Sequence, residues 1–197
     1  MVVITAYLIG SISFAVVVSR AFRLPDPREY GSGNPGATNV LRSGRKSAAV
    51  LTLLGDCIKG WFAVFAAGQW MVDDTALVMA LTAVAVVLGH MYPVFHHFKG
   101  GKGVATALGA LLALSPYLGL GVLATWIIIA VFFRYSSLAA LVSAVFAVFF
   151  TLILFNVAHP FFGAVTMIAV LLIWRHRSNI RNLLDGRESR LGARSGT

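Results

Sequence analysis

Apolar residues run along this chain in long stretches broken by short polar segments, not in the alternating stripe of a soluble amphipathic helix. Stretches at 1–19, 48–71, 75–95, 137–156 and 158–174 approach the roughly 17–25 residues that a bilayer-crossing helix needs. The stretch 103–133 holds Ser115-Pro116 near its middle. As one helix it would run about 46 Å at about 1.5 Å per residue, too long for a hydrocarbon core of about 30 Å. Split at Ser115-Pro116 it gives two short helices, and proline suits that turn.

The basic residues bear on this choice. All Lys and Arg except Lys59 fall within 20–46, 99–102, 134 or 175–194. Two spans over 103–133 put every cluster on one face, as the positive-inside rule expects. The predicted fold is therefore all-α: a polytopic integral membrane protein with seven transmembrane helices, N-terminus outside and C-terminus cytoplasmic. A single membrane domain covers 1–197, with inside loops 20–47, 89–103 and 134–136 and an inside tail 175–197. The outside loops hold Asp73-Asp74, Ser115-Pro116 and Asn156 to Pro160.

Composition agrees, with 58% hydrophobic and 12% charged residues, against about 25% charged in soluble domains. The net charge of +9 follows the membrane flanks and does not indicate nucleic acid. Cys57 is the single cysteine, so no intrachain disulfide forms. The first stretch lacks a basic n-region and reads as a retained span. Gly109, Gly119, Gly121, Ala105 and Ala113 are small enough for close helix approach in lipid. Asp56 and Lys59, three apart near a span's end, are placed to pair.

Two inside loops are rich in glycine and small polar residues. The first, Ser32 to Arg42, offers Ser32, Asn34, Thr38 and Asn39 as hydrogen-bond donors, Gly36 for turning, and the Arg42 fork for a phosphate or carboxylate. The second runs from Gly89-His90 to Lys99-Gly100-Gly101-Lys102-Gly103, directly before a predicted helix. Glycines and lysines ahead of a helix N-terminus make an anion site. Of His90, His96 and His97 the last two are adjacent and no Asp or Glu stands nearby in sequence, so neither a metal nor another cofactor is expected. The tail carries Ile180, Leu183 and Leu184 at helical spacing, which predicts a short surface helix ending at Gly186, with frayed residues from Ser189. His176, Asn179, Arg181 and Glu188 lie on its polar side.

Three segments that bind anions at a membrane face suit a phosphorylated substrate meeting a lipid one. No histidine has an aspartate five residues later, so the His-x4-Asp acyltransferase arrangement is absent. A carrier or channel for a phosphorylated metabolite fits the same features.

Ser32–Arg42, Gly89–Thr106 and His176–Glu188 resemble the three motifs of the bacterial membrane glycerol-3-phosphate acyltransferases that use acyl-phosphate. The likeness spans the whole chain. It implies transfer of a fatty acyl group to the 1-hydroxyl of sn-glycerol 3-phosphate, giving lysophosphatidic acid and phosphate. The expected partners are glycerol 3-phosphate, acyl-phosphate and membrane lipid, in a monomer of the bacterial inner membrane whose active site faces the cytoplasm. In this reading Ser32, Arg42, His90, Lys102 and His176 are catalytic, with His90, His176 or a substrate phosphate oxygen a candidate base. Asn34, Gly36, Thr38, Asn39, Lys99, Gly100, Gly101, Gly103, Asn179, Arg181 and Glu188 bind substrate, with Glu188 anchoring a neighbouring arginine.

Overall fold

The computed structural model describes residues 1–70 and 74–192; Asp73 and the tail from 193 onward lie outside them. Ten α-helices make up the regular structure of the described residues, with one 3-10 turn at Val94–His96. They are α1 Val2–Gly10, α2 Phe14–Ala21, α3 Ala37–Leu41, α4 Lys46–Trp70, α5 Thr75–Met91, α6 Val104–Leu114, α7 Pro116–Phe133, α8 Ser136–Phe155, α9 Pro160–Arg175 and α10 Arg177–Leu184.

Seven crossings do not survive in this structure. Four helices are long and apolar enough to span a membrane: Lys46–Trp70, Thr75–His96, Pro116–Phe133 and Ser136–Phe155. A fifth is reached if α1 and α2, bent by 43° at their break, count as one. The chain does break at Ser115, whose hydroxyl accepts from the Leu118 N–H and caps α7. But α6 has 11 residues, about 16 Å, or half a bilayer core. The 16 residues of α9 also fall short of a span. Charge parity treated each apolar stretch as a full crossing, and partial crossings void that step. The orientation deduced from the count, N-terminus outside and C-terminus cytoplasmic, falls with it.

Small residues set the packing. α4 and α6 touch through Gly60 and Gly109, where a Cβ would strike the Thr106 and Cys57 carbonyl oxygens respectively. Without side chains at these points, dispersion contacts between whole helices replace the hydrophobic effect that lipid does not supply. The buried core is correspondingly rich in alanine and valine, including Ala63, Val64, Ala83, Val86, Val87 and Ala110.

The break between α1 and α2, over Ser11 to Ser13, leaves a carbonyl without a helical partner. Lys59 supplies one: its Nζ donates to the Ile12 oxygen at 2.6 Å. The same ammonium pairs with Asp56 at 2.8 Å, confirming the pairing expected from their spacing. Both residues are buried. A lysine inside a span is thus accounted for by one carboxylate and one broken helix.

Candidate active site

The second loop sits against the end of α5 and feeds α6. His97 and Phe98 both take left-handed backbone angles, φ 51° and 58°, which is costly for side chains of this size. Gly103, at φ +86°, makes the final turn into α6. That conformation leaves the first N–H groups of α6 facing out of the helix end, beside Lys102. Lys102 is half-buried, whereas Lys99 is exposed.

His90 lies beneath this loop and not at its open side. It is 8% exposed. Its Nδ1 is 3.0 Å from Lys59 Nζ and 3.5 Å from Asp56 Oδ1, and its backbone oxygen accepts from the Gly101 N–H at 3.1 Å. Its Nε2 packs against the Gly101 Cα, where any side chain would collide with it.

The first loop is stitched by Asn39. Its amide donates to the Pro27 carbonyl at 2.7 Å and the Tyr30 carbonyl at 3.1 Å, and its Oδ1 accepts from the Ser32 N–H at 3.0 Å. With 2% exposure, Asn39 shapes the loop from within. Gly36 precedes α3, and Asn34 turns the chain into it by accepting from the Gly36 N–H at 2.9 Å. Ser32, Thr38 and Arg42 remain exposed. Arg42 reaches Ser189 Oγ at 2.6 Å, and Thr38 lies 3.3 Å from the Ser136 hydroxyl.

The tail does not fray at Ser189. The Leu191 N–H donates to the Arg134 carbonyl at 2.6 Å, and Arg190 Nε donates to the Tyr135 hydroxyl at 3.3 Å. Residues 187 to 191 therefore lie across the α7–α8 corner. Glu188 accepts from Ser137 Oγ and Asn179 Nδ2, each at 2.7 Å, and pairs with no arginine among the described residues. The surface helix α10 and the left-handed Gly186 after it are as expected, and Arg181 is exposed on it.

These segments meet electrostatically. Burial pushes the Lys102 ammonium below its usual range, Glu188 opposes that shift, and Arg42 and Arg175 reinforce it. His176 is 3% exposed. Burial lowers its pKa to about 4, the Leu172 carbonyl opposes this, and Lys102 acts in the same direction as burial. At neutral pH the imidazole is therefore uncharged. Its Nδ1 stands 2.7 Å from the Leu172 carbonyl, which can only accept. Nδ1 thus carries the hydrogen and Nε2 the lone pair.

Arg175, Ser136, Ser137 and Ser189 join this group without having been singled out in the sequence. Arg175 donates from Nε to the Gly101 carbonyl at 3.1 Å and from Nη2 to the Gly100 carbonyl at 2.7 Å. Its place as the last residue of an apolar helix is also where a topology-setting arginine stands, and the two are indistinguishable in one sequence. Lys102 thus feels two further cations, Arg42 and Arg175, against one carboxylate, Glu188. Such a cluster has unmet demand for anions.

Comparison with known proteins agrees with this chemistry. The family model described as glycerol-3-phosphate acyltransferase matches residues 1–186. The glycerol-3-phosphate acyltransferase of Ralstonia nicotianae is 65% identical over 193 residues, covering 96% of this chain and 92% of the relative. That of Ralstonia pickettii is 67% identical over 194 residues, with the same coverage of each. The crystal structure of PlsY (YgiH), an integral membrane glycerol 3-phosphate acyltransferase, in its glycerol 3-phosphate form superposes with a TM-score of 0.91 at 43% identity. The match covers 97% of this chain and 94% of that one. Its lysophosphatidic acid form gives 0.89 at 42% identity, with the same coverage. The chain belongs to the glycerol-3-phosphate acyltransferase family.

Proposed function

We propose that this protein moves a fatty acyl group from acyl-phosphate to the 1-hydroxyl of sn-glycerol 3-phosphate, in the bacterial inner membrane. The observation that carries the site assignment is the convergence of cations on Lys102 beside the open N-terminus of α6: Arg175 holds the Gly100 and Gly101 carbonyls, Arg42 reaches the tail at Ser189, and both act on Lys102 with Glu188 as the opposing charge. Two phosphorylated substrates supply the negative charge that this cluster lacks.

In the reaction the hydroxyl oxygen forms an ester bond to the acyl carbon as the carbon–oxygen bond to phosphate breaks. Phosphate leaves with the electron pair and takes up the hydroxyl proton, so that it departs as hydrogen phosphate. The donor is already activated, so positioning and electrostatic stabilisation suffice. Lys102 and the N–H groups of Gly103 and α6 hold a phosphate, with Gly100 and Gly101 letting the backbone come close. Arg42 takes a second phosphate by its fork, and Ser32, Asn34 and Thr38 orient the glycerol hydroxyls from a loop shaped by Gly36 and Asn39. His176 Nε2 accepts from the reacting hydroxyl, and Asn179 completes that side under the hold of Glu188. His90 serves from below as the seat of the loop. Lys99 and Arg181 draw anions toward the site from exposed positions.

Every basic segment except Lys59 gathers at this end through direct contacts, Arg42 with Ser189, Arg134 with Leu191, and Arg175 with Gly100. A basic end favours the cytoplasmic face, so we place the site there. One chain supplies all the groups, which supports a monomer acting alone. The test is purified protein with acyl-phosphate and glycerol 3-phosphate. Phosphate release that requires glycerol 3-phosphate supports the reading. Counterflow of labelled glycerol 3-phosphate without product overturns it in favour of a carrier.

A further inference from the structure

Two groups clamp the Gly100-Gly101 pair from different sides. From one, the His90 carbonyl accepts the Gly101 N–H at 3.1 Å. From the other, the Arg175 guanidinium takes the Gly101 carbonyl at 3.1 Å and the Gly100 carbonyl at 2.7 Å. Arg175 is itself held: its guanidinium stacks 5.3 Å over the Tyr92 ring, and the Tyr92 carbonyl accepts from Tyr7 at 2.7 Å. The chain is thus fixed in place from α1 through α5 to the end of α9.

The consequence follows from peptide geometry. A trans peptide points its N–H opposite its carbonyl. With the Gly101 carbonyl turned to Arg175, the Lys102 N–H points away from Arg175, and among the described residues it has no hydrogen-bond partner. We infer that Arg175 is a positioning residue for acyl transfer, holding two glycine carbonyls back so that the Lys102 N–H and the start of α6 face the phosphate. Carbonyl oxygens left free to swing would instead present negative ends to an anion. The fork matters as much as the charge. A lysine ammonium is a point donor and does not reproduce the planar two-point grip or the ring stacking.

The inference rests on the phosphate role proposed for this loop, and the experiment separates the two. Transfer rate, inhibition by inorganic phosphate and thermal unfolding are measured for the wild type, Arg175→Lys and Arg175→Ala in detergent. The expected result is folded variants whose kcat falls roughly tenfold to a hundredfold, the range a slightly misplaced catalytic group produces. The inhibition constant for phosphate rises in parallel in both. Added methylguanidine restores activity to Arg175→Ala severalfold without moving its unfolding temperature. Wild-type kcat and phosphate inhibition in Arg175→Lys overturn the inference, because charge alone then suffices. Unchanged kinetics in Arg175→Ala overturn it too. Should Arg175→Ala fail to fold, Arg175→Lys decides by the same criterion. A wild-type enzyme that transfers acyl groups but is indifferent to phosphate overturns the loop's assignment instead.

Discussion

Asn179 Nδ2 lies 2.7 Å from Glu188 Oε1, and this contact closes the turn that follows α10. The same oxygen takes the Ser137 hydroxyl at 2.7 Å, so one carboxylate joins the tail to the first turn of α8. The contact also settles which way the Asn179 amide faces. Its NH2 must point at the carboxylate, which leaves Oδ1 as an acceptor, and that atom is buried without a partner among the described residues. A substrate hydroxyl can satisfy it.

Glu188→Ala removes the acceptor for two donors at once. The expected loss is about 1–3 kcal/mol of stability, the usual cost of orphaning buried polar groups, together with most of the transfer activity. Glu188→Gln keeps an acceptor oxygen but not the charge, so it should recover more stability than activity. Thermal unfolding and phosphate release on the two variants, measured side by side, check this.

The contrast between Glu188 and Lys59 shows what a single sequence reveals. The Asp56–Lys59 pair is legible because both partners sit on one helix three residues apart. The Ile12 carbonyl that Lys59 also satisfies lies 47 positions away, in a break that no proline announces. Glu188 reads as an arginine partner in a basic tail, yet its partners are a serine on another helix and its own turn. Apolar length and Ser115-Pro116 locate the helices and the division between α6 and α7. Whether a short apolar helix crosses or stops halfway depends on what it packs against, and α6 leans on α4 through glycine contacts that leave hydropathy unchanged. The motifs Ser32–Arg42 and Lys99–Gly103 point to anion chemistry by composition. Arg175 does not, because its partners are backbone carbonyls 74 and 75 positions away.

Gly109→Ala tests the α4–α6 contact. The added methyl would meet the Cys57 carbonyl oxygen and lie 2.9 Å from the Trp61 nitrogen, both backbone atoms that cannot rotate aside. The helices must separate, at a cost of about 1–3 kcal/mol. Gly163→Ala in α9 is the control, because a Cβ there meets nothing within 4 Å. It should be neutral or stabilise by up to about 1 kcal/mol from helix propensity. Unfolding temperatures of the pair in one detergent read the difference.

Lys102→Ala and Arg42→Ala should each fold and lose at least about a hundredfold in turnover, the scale seen when a charge-stabilising donor is removed. Lys102→Arg should recover only part, because a half-buried ammonium beside Gly103 leaves little room for a guanidinium. Equal turnover of either alanine variant and the wild type would remove that residue from the site. Ser32→Ala discriminates further: as a hydroxyl contact to substrate it should cost less than either cation.

His176 supplies a pH signature. Its folded pKa, about 4, lies below the usual histidine value because the ring is buried near Lys102 and Arg175. The unfolded state therefore binds a proton first as pH falls. Stability from this group is full above about pH 6.5, declines as pH drops toward 4, and changes no further below that. The span corresponds to roughly 3 kcal/mol at about 1.4 kcal/mol per pKa unit. In His176→Gln this component of the acid-side decline should disappear, as read by thermal unfolding between pH 4 and 7. Bound phosphate supplies negative charge beside the ring and raises its folded pKa. Inorganic phosphate should therefore flatten the wild-type decline and leave His176→Gln unchanged in slope. A wild-type profile insensitive to phosphate would separate His176 from the anion site.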